Sequence, residues 1–271
     1  MTNEATPQPE ATEAQPPRRR RPMRRVTVTR VQQLSPRMVR VTFTGEDLQA
    51  FGWNGPAAHI KLGFPEAGQA DIALPEPDGP RPTMRTYTPR RFDASVPELD
   101  VDFVLHGDGP AASWATQAQP GQALIVAGPG PNYQVDPDAD WFLLAGDDTA
   151  LPAIETILDA LPADINARVL IEVADAQEER PLASAAQINV TWLHHDGNAT
   201  QADRPLEAAL RASDLPRGNG RIYVGCEAAA MRRIRAHLIQ ERGLDPARLV
   251  TRGYWKLGDI NYTDHDYGTD S

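Results

Sequence analysis

The chain has almost no cysteine, no long apolar run and no excess of positive charge. Cys226 is its one thiol, so an internal disulfide is impossible and a cysteine-based metal site is not expected. No apolar run reaches the ~18 residues that suggest a membrane helix, so no integral membrane segment is expected. The first 25 residues place their arginines behind a polar tract with no apolar stretch after them, which is not the layout of a secretory signal. A cytoplasmic location follows from these absences. The net charge is −10. The first 25 residues hold six arginines against three glutamates, so the remainder is more acidic still. Such a body argues against nucleic-acid binding. At 271 residues, with 41% hydrophobic and 24% charged residues, the composition is that of a globular protein of two modest domains or one large one.

What the chain does have begins with Arg85-Thr86-Tyr87-Thr88. On an extended segment Arg85 and Tyr87 face the same side. The guanidinium can clamp a pyrophosphate while the phenol ring lies against a flat heterocycle. Thr88 adds a small hydroxyl for the polar edge of a flavin. These are groups suited to holding FAD. Downstream, Asp102-Phe103-Val104-Leu105-His106-Gly107-Asp108-Gly109-Pro110 reads as a β-rich run that ends in a turn and opens a helix. Free N–H groups at that helix start would face an anion such as a diphosphate. Residues 141–154 then read as strand, turn and helix, the entry of a nucleotide-binding α/β domain.

The patterning changes once along the chain. Residues 1–23 have the composition of a disordered tail. Short alternating strands are expected near 25–31, 38–43, 61–64, 85–90, 98–106 and 123–127, which together suggest an all-β Greek-key barrel over 24–133. From about residue 140, strands at 141–145, 168–174, 189–194 and 221–225 alternate with helices at 150–161, 176–186, 204–213 and 227–243. That is an α/β parallel-sheet domain, running to about 258. An acidic tail, 259–271, closes the chain.

With these motifs in this order, the chain resembles the siderophore-interacting protein family, FAD-dependent ferric-siderophore reductases within the ferredoxin-NADP reductase superfamily. The resemblance is carried by Arg85-Thr86-Tyr87-Thr88, His106-Gly107 with Gly109-Pro110-Ala111, the stretch Gly146 to Ile154, Gly253-Tyr254-Trp255, and His59-Ile60-Lys61-Leu62-Gly63-Phe64-Pro65. It implies that FAD is bound by Arg85, Thr86, Tyr87 and Thr88, by Asp102, Phe103, Val104, Leu105 and His106, by Ala112, Ser113 and Trp114, and by Tyr254 and Trp255. NADPH or NADH, as electron donor, would bind at Gly146, Thr149, Ala150 and Glu227. Ferredoxin is an alternative donor. Lys61, Lys256 and Arg252 are candidates for the ferric siderophore, which is often anionic and too large for a closed cavity.

Other residues carry their own readings. Asp147 and Asp148 would repel a pyrophosphate. Glu172, at a strand end, can bond a ribose hydroxyl or simply be solvated. Cys226 stands where the family has glycine, either near the path of electrons or as an inert buried thiol. His194 and His195 read as loop, because adjacent side chains at a strand end point apart. No catalytic nucleophile, acid–base pair or metal site is evident. The rivals to a ferric-siderophore reductase are a general flavin oxidoreductase with a protein or quinone acceptor, and a non-catalytic siderophore- or flavin-binding module.

Overall fold

The computed structural model describes residues 22–66, 68–69, 71–76, 79–106, 109–196, 204–259 and 262. Most of the two expected tails, and Gly107 with Asp108, lie outside the described residues. The first half forms seven strands: β1 (Met23–Ser35), β2 (Met38–Thr44), β3 (Ile60–Phe64), β4 (Thr83–Tyr87), β5 (Pro89–Asp93), β6 (Glu98–Val104) and β7 (Ala123–Ala127). They make one antiparallel sheet in the order β4-β3-β7-β1-β2-β6-β5. Helix α1 (Pro110–Thr116) lies between β6 and β7. The inward residues include Val26, Val28, Val41, Phe43, Ile60, Leu62, Phe103 and Leu124, each essentially inaccessible to solvent.

Where the sequence suggests one strand over 85–90, the structure has two, broken at Thr88. β4 pairs with β3 at one edge of the sheet, and β5 pairs with β6 at the other. The chain therefore crosses the open seam in a single residue, and the sheet curls into a half-barrel to allow it. Pro89 begins β5, where its missing N–H is tolerated because the strand is an edge.

The second half is a parallel sheet of β8 (Trp141–Asp147), β9 (Asn166–Val173), β10 (Gln187–His194), β11 (Gly220–Glu227) and β12 (Leu249–Trp255), in the order β10-β9-β8-β11-β12. Its helices are α2 (Leu151–Ala160), α3 (Pro205–Ala212) and α4 (Ala228–Ala236). Two expectations need correction. The helix at 176–186 is only a 3-10 turn, Ala176–Glu178, because its polar residues are drawn to the half-barrel. The strand β12 went unassigned, since Arg252 and Gly253 interrupt its apolar pattern.

The two sheets are bound together by polar contacts across the joint. Ser35 Oγ donates to Glu178 Oε2 at 2.5 Å. Arg180 reaches Glu155 at 2.8 Å and Asp102 at 3.6 Å, while Arg40 holds Asp102 at 2.6 Å. Arg90 pairs with Asp159 at 2.7 Å. Met38 and Val104 from the half-barrel join the apolar cluster around α2. This joint fixes the C-terminal ends of the parallel strands against the ends of β2 and β6.

Candidate functional site

On the half-barrel side, register pairs Arg85 with Leu62 and Tyr87 with Ile60, while Thr86 pairs with Lys61. Arg85 and Tyr87 thus share one face of β4, partly buried, and Thr86 and Lys61 share the other, exposed. Tyr87 packs its ring 4.6 Å from Phe103, and burial pushes its phenol far above its ordinary pKa. Thr88 sits at the seam crossing. His106 is exposed just past β6, with its ring 6.1 Å from that of Trp255. Leu105 is held by its N–H donating to the Arg37 carbonyl at 2.7 Å. Ala112 is buried and Ser113 exposed on α1.

Several residues given cofactor roles from the sequence also make structural contacts. Trp114 is 6% exposed and packs against Phe43, Phe64 and Phe103, so it belongs to the half-barrel core. Phe103 is fully buried in the same core. The Asp102 carboxylate is taken by Arg40 and approached by Arg180, which makes it part of the joint.

On the parallel-sheet side, connection direction reverses between β8 and β11, and ligands of such sheets bind in the crevice outside the strand ends at that point. Gly146 and Gly225 face each other there. A Cβ on Gly146 would lie 2.6 Å from the Gly225 carbonyl and 2.7 Å from Ala150 Cβ. These glycines therefore let the strand ends and the turn before α2 close on one another. Cys226 is completely buried among Ala145, Met231 and Ile234, and burial raises its thiol well above the usual range. It is the inert reading of the two.

Asp147 is the hub of this crevice. Its Oδ1 accepts from Thr149 N and Oγ1, and its Oδ2 accepts from Glu227 N at 3.1 Å and from the Trp255 indole at 2.8 Å. Arg204 lies 3.6 Å from Asp147 and 3.4 Å from Glu172, with its guanidinium 5.1 Å from the Trp255 ring. Glu172 also accepts from Leu206 N at 3.0 Å, capping α3. Glu227, expected at the dinucleotide, caps α4 by accepting from Ala229 and Ala230. Asp148 has its pKa pushed up to about 7 by burial and by the neighbouring Asp147 carboxylate. The two aspartates thus present less negative charge to a phosphate than their sequence suggests.

Lys61 and Lys256 are the chain's only lysines, and both are exposed. Lys256 directly follows Trp255 at the crevice mouth, whereas Lys61 lies on the outer face of β3. Arg252 and Tyr254 are partly buried on β12, and the Tyr254 hydroxyl meets that of Tyr223 at 2.5 Å. Sequence reasoning did not single out Arg37 or Arg204. Arg204 follows a polar stretch of sequence and gives no local sign of being buried. A groove of about 390 Å³ lined by Trp141, Asn166, Gln187 and Asp214 lies at the opposite, N-terminal ends of the strands and has no part in this site. The side chains along β4 fit FAD: an arginine and an aromatic ring on one partly buried face, with a hydroxyl beside them at Thr88. Among the described residues no cluster could hold a metal ion, and no helix is long and apolar enough to cross a membrane.

An antiparallel half-barrel joined to a parallel sheet with a switch-point crevice is the architecture of two-domain flavin and pyridine-nucleotide reductases. A Neisseria gonorrhoeae ferredoxin NADP+ reductase with bound FAD and NADP shares this fold, with a TM-score of 0.62 at 13% identity over 86% of this chain and 99% of that one. Residues 27–133 match the profile of the siderophore-interacting FAD-binding domain, and residues 139–258 match that of the siderophore-interacting protein. A siderophore utilization protein from T. fusca is 38% identical with a TM-score of 0.81, covering 89% of this chain and 95% of that one. The ferric vibriobactin reductase of Vibrio cholerae is 35% identical over 83% of this chain and 86% of its own. The NADPH-dependent ferric-chelate reductase of Escherichia coli is 31% identical over 86% and 92%. The chain belongs to the siderophore-interacting protein family.

Proposed function

We propose that this protein is a flavin-dependent ferric-siderophore reductase that takes electrons from NADPH or NADH and releases iron as the ferrous ion. The observation that carries the reading is the meeting of His106, past the end of β6, with Trp255, at the end of β12, their rings 6.1 Å apart, in a molecule that has an Arg85–Tyr87 face on β4 and a switch-point crevice in its parallel sheet. Bound FAD supplies the conversion of a two-electron donor into one-electron steps. The chain supplies the rest. Arg85 neutralises the diphosphate, Tyr87 lies against the ring system, and Thr88, His106 and Ser113 offer polar contacts along it. Gly146, Thr149 and Ala150 form the turn that receives the dinucleotide, with residues 140–258 as its domain and 24–133 as that of the flavin.

The acceptor stays outside. Lys256 and Arg252, with Lys61 on the outer face of β3, attract an anionic ferric chelate to an open rim. Iron changes hands there without a protein ligand, and ferrous iron leaves because hard oxygen donors hold it less tightly than ferric. The reaction belongs in the cytoplasm, where reduced dinucleotides are found. Ferredoxin is a second donor that the same assay separates. The test is an anaerobic assay with ferric siderophore, FAD-loaded protein and a ferrous-trapping dye. Colour should develop with NADPH or NADH and fail to develop when FAD is withheld. No trapped ferrous iron with either dinucleotide, but colour with reduced ferredoxin, would move the donor assignment. No colour with any donor would overturn the function.

A further inference from the structure

Arg37 stands on the turn between β1 and β2. Its backbone is pinned on both sides: the carbonyl accepts from Leu105 N at 2.7 Å, and the N–H donates to Glu178 Oε2 at 3.3 Å. These two anchors set the residue between the end of β6 and the loop that follows β9. Its side chain is partly buried, yet makes no hydrogen bond or ion pair with any described residue. A half-buried guanidinium held in place without a partner is poised for an anion brought from outside.

The surroundings say which anion. Arg37 N meets Glu178, just past β9, and His195 N donates to the Val173 carbonyl at the end of β9 at 3.2 Å, so both residues flank that strand end; the Arg37 charge is felt at His195, after burial and Arg204, and at His106, after burial and Asp147. Arg204, 7% exposed, lowers the His195 pKa further, next after burial. The cations thus gather over the C-terminal ends of β8, β9 and β10, where a dinucleotide lying on such a sheet places its adenosine ribose. At that position an acid at the end of the second strand reads the ribose diol of NADH, and an arginine accommodates the 2′-phosphate of NADPH. Here the acid, Glu172, is spent on Arg204 and on Leu206 N. Its side chain is fully buried, out of reach of a diol.

We propose that Arg37, an arginine contributed by the flavin-side sheet, together with His195 forms the subsite for the 2′-phosphate of NADPH, so that donor choice is set across the joint between the two sheets. This rests on the reading of the protein as a dinucleotide-dependent flavoprotein and assigns its donor. The Coulomb and hydrogen-bond partners of the phosphate are then the guanidinium and the imidazole, with Arg204 offsetting Asp147 and Glu172 below.

The experiment compares FAD-loaded wild type with Arg37→Gln and Arg37→Lys. Binding of NADP+, NAD+ and 2′,5′-ADP is measured by calorimetry, and flavin content by absorbance. Arg37→Gln should weaken NADP+ and 2′,5′-ADP at least tenfold and leave NAD+ within about twofold, with Arg37→Lys in between and flavin content unchanged. Equal weakening of NADP+ and NAD+ would assign the guanidinium to the pyrophosphate and overturn the proposal, as would no change in either. Loss of flavin in Arg37→Gln would overturn it too, by placing the arginine on FAD. If wild type binds no dinucleotide at all, the functional reading fails and the subsite, which rests on it, is overturned with it.

Discussion

The indole Nε1 of Trp255 donates to the Asp147 carboxylate at 2.8 Å, joining the end of β12 to the end of β8. Asp147 also receives Thr149 and the Glu227 N–H and faces Arg204 at 3.6 Å. One carboxylate therefore shapes the turn before α2, the entry to α4 and the ring at the crevice mouth. Asp147→Ala removes all of these and leaves Arg204 facing Glu172 alone. A loss of about 3–5 kcal/mol is expected, as for breaking a buried pair from one side. Denaturant unfolding measures it, and tryptophan emission should shift to the red as the Trp255 ring is freed.

Asp148 gives the fold a pH dependence of definite sign. Its pKa is raised from 3.8 to about 7, so the native state binds a proton that the unfolded chain has released. Its contribution to stability is therefore full below about pH 4 and falls as the pH rises through about 7, with a slope no steeper than about 1.4 kcal/mol per pH unit for one proton. Asp148→Asn should flatten the stability profile between pH 4 and 7. An unchanged profile would mean that Asp148 is ionised throughout.

Tyr87 is expected to act through its ring. Tyr87→Phe keeps the contact with Phe103 and should retain FAD, while Tyr87→Ala loses an aromatic contact worth about 0.5–1.5 kcal/mol beyond area burial and should lose most flavin on dialysis. The ratio of flavin to protein absorbance reports both.

Much of this was legible in the sequence, and the failures have physical causes. The alternation of Val26 and Val28, and of Val39, Val41 and Phe43, marks antiparallel strands because only one face is wet. The break at Thr88 was hidden, because a chain that changes partner without turning leaves no local signature except Pro89. The helix expected at 176–186 was lost to long-range polar contacts of Glu178 and Arg180 with the other sheet, which no window of sequence contains. Site residues were legible by type and less so by role. Arg85 and Tyr87 do share a face, while the core packing of Trp114, the joint pairing of Asp102 and the capping by Glu227 are contacts that no window of sequence displays. Arg37 and Arg204 escaped notice because only the fold brings them to the strand ends.

Charge at the rim separates acceptors. Lys256→Glu should lower kcat/KM for an anionic ferric chelate about tenfold, which is one pKa-scale unit of 1.4 kcal/mol, and leave reduction of a neutral dye unchanged. Lys61→Glu, on the outer face of β3, should have the smaller effect. Steady-state assays at low and high salt check both, since screening weakens such attraction.

The central claim is that the joint between the two sheets carries electrons from a reduced dinucleotide to a flavin held against Tyr87. Anaerobic stopped-flow mixing of the FAD-loaded protein with NADPH tests it most directly. The oxidised-flavin band near ~450 nm should bleach on mixing and return when ferric siderophore is added. A band that persists through NADPH, NADH and the acceptor alike would contradict the account.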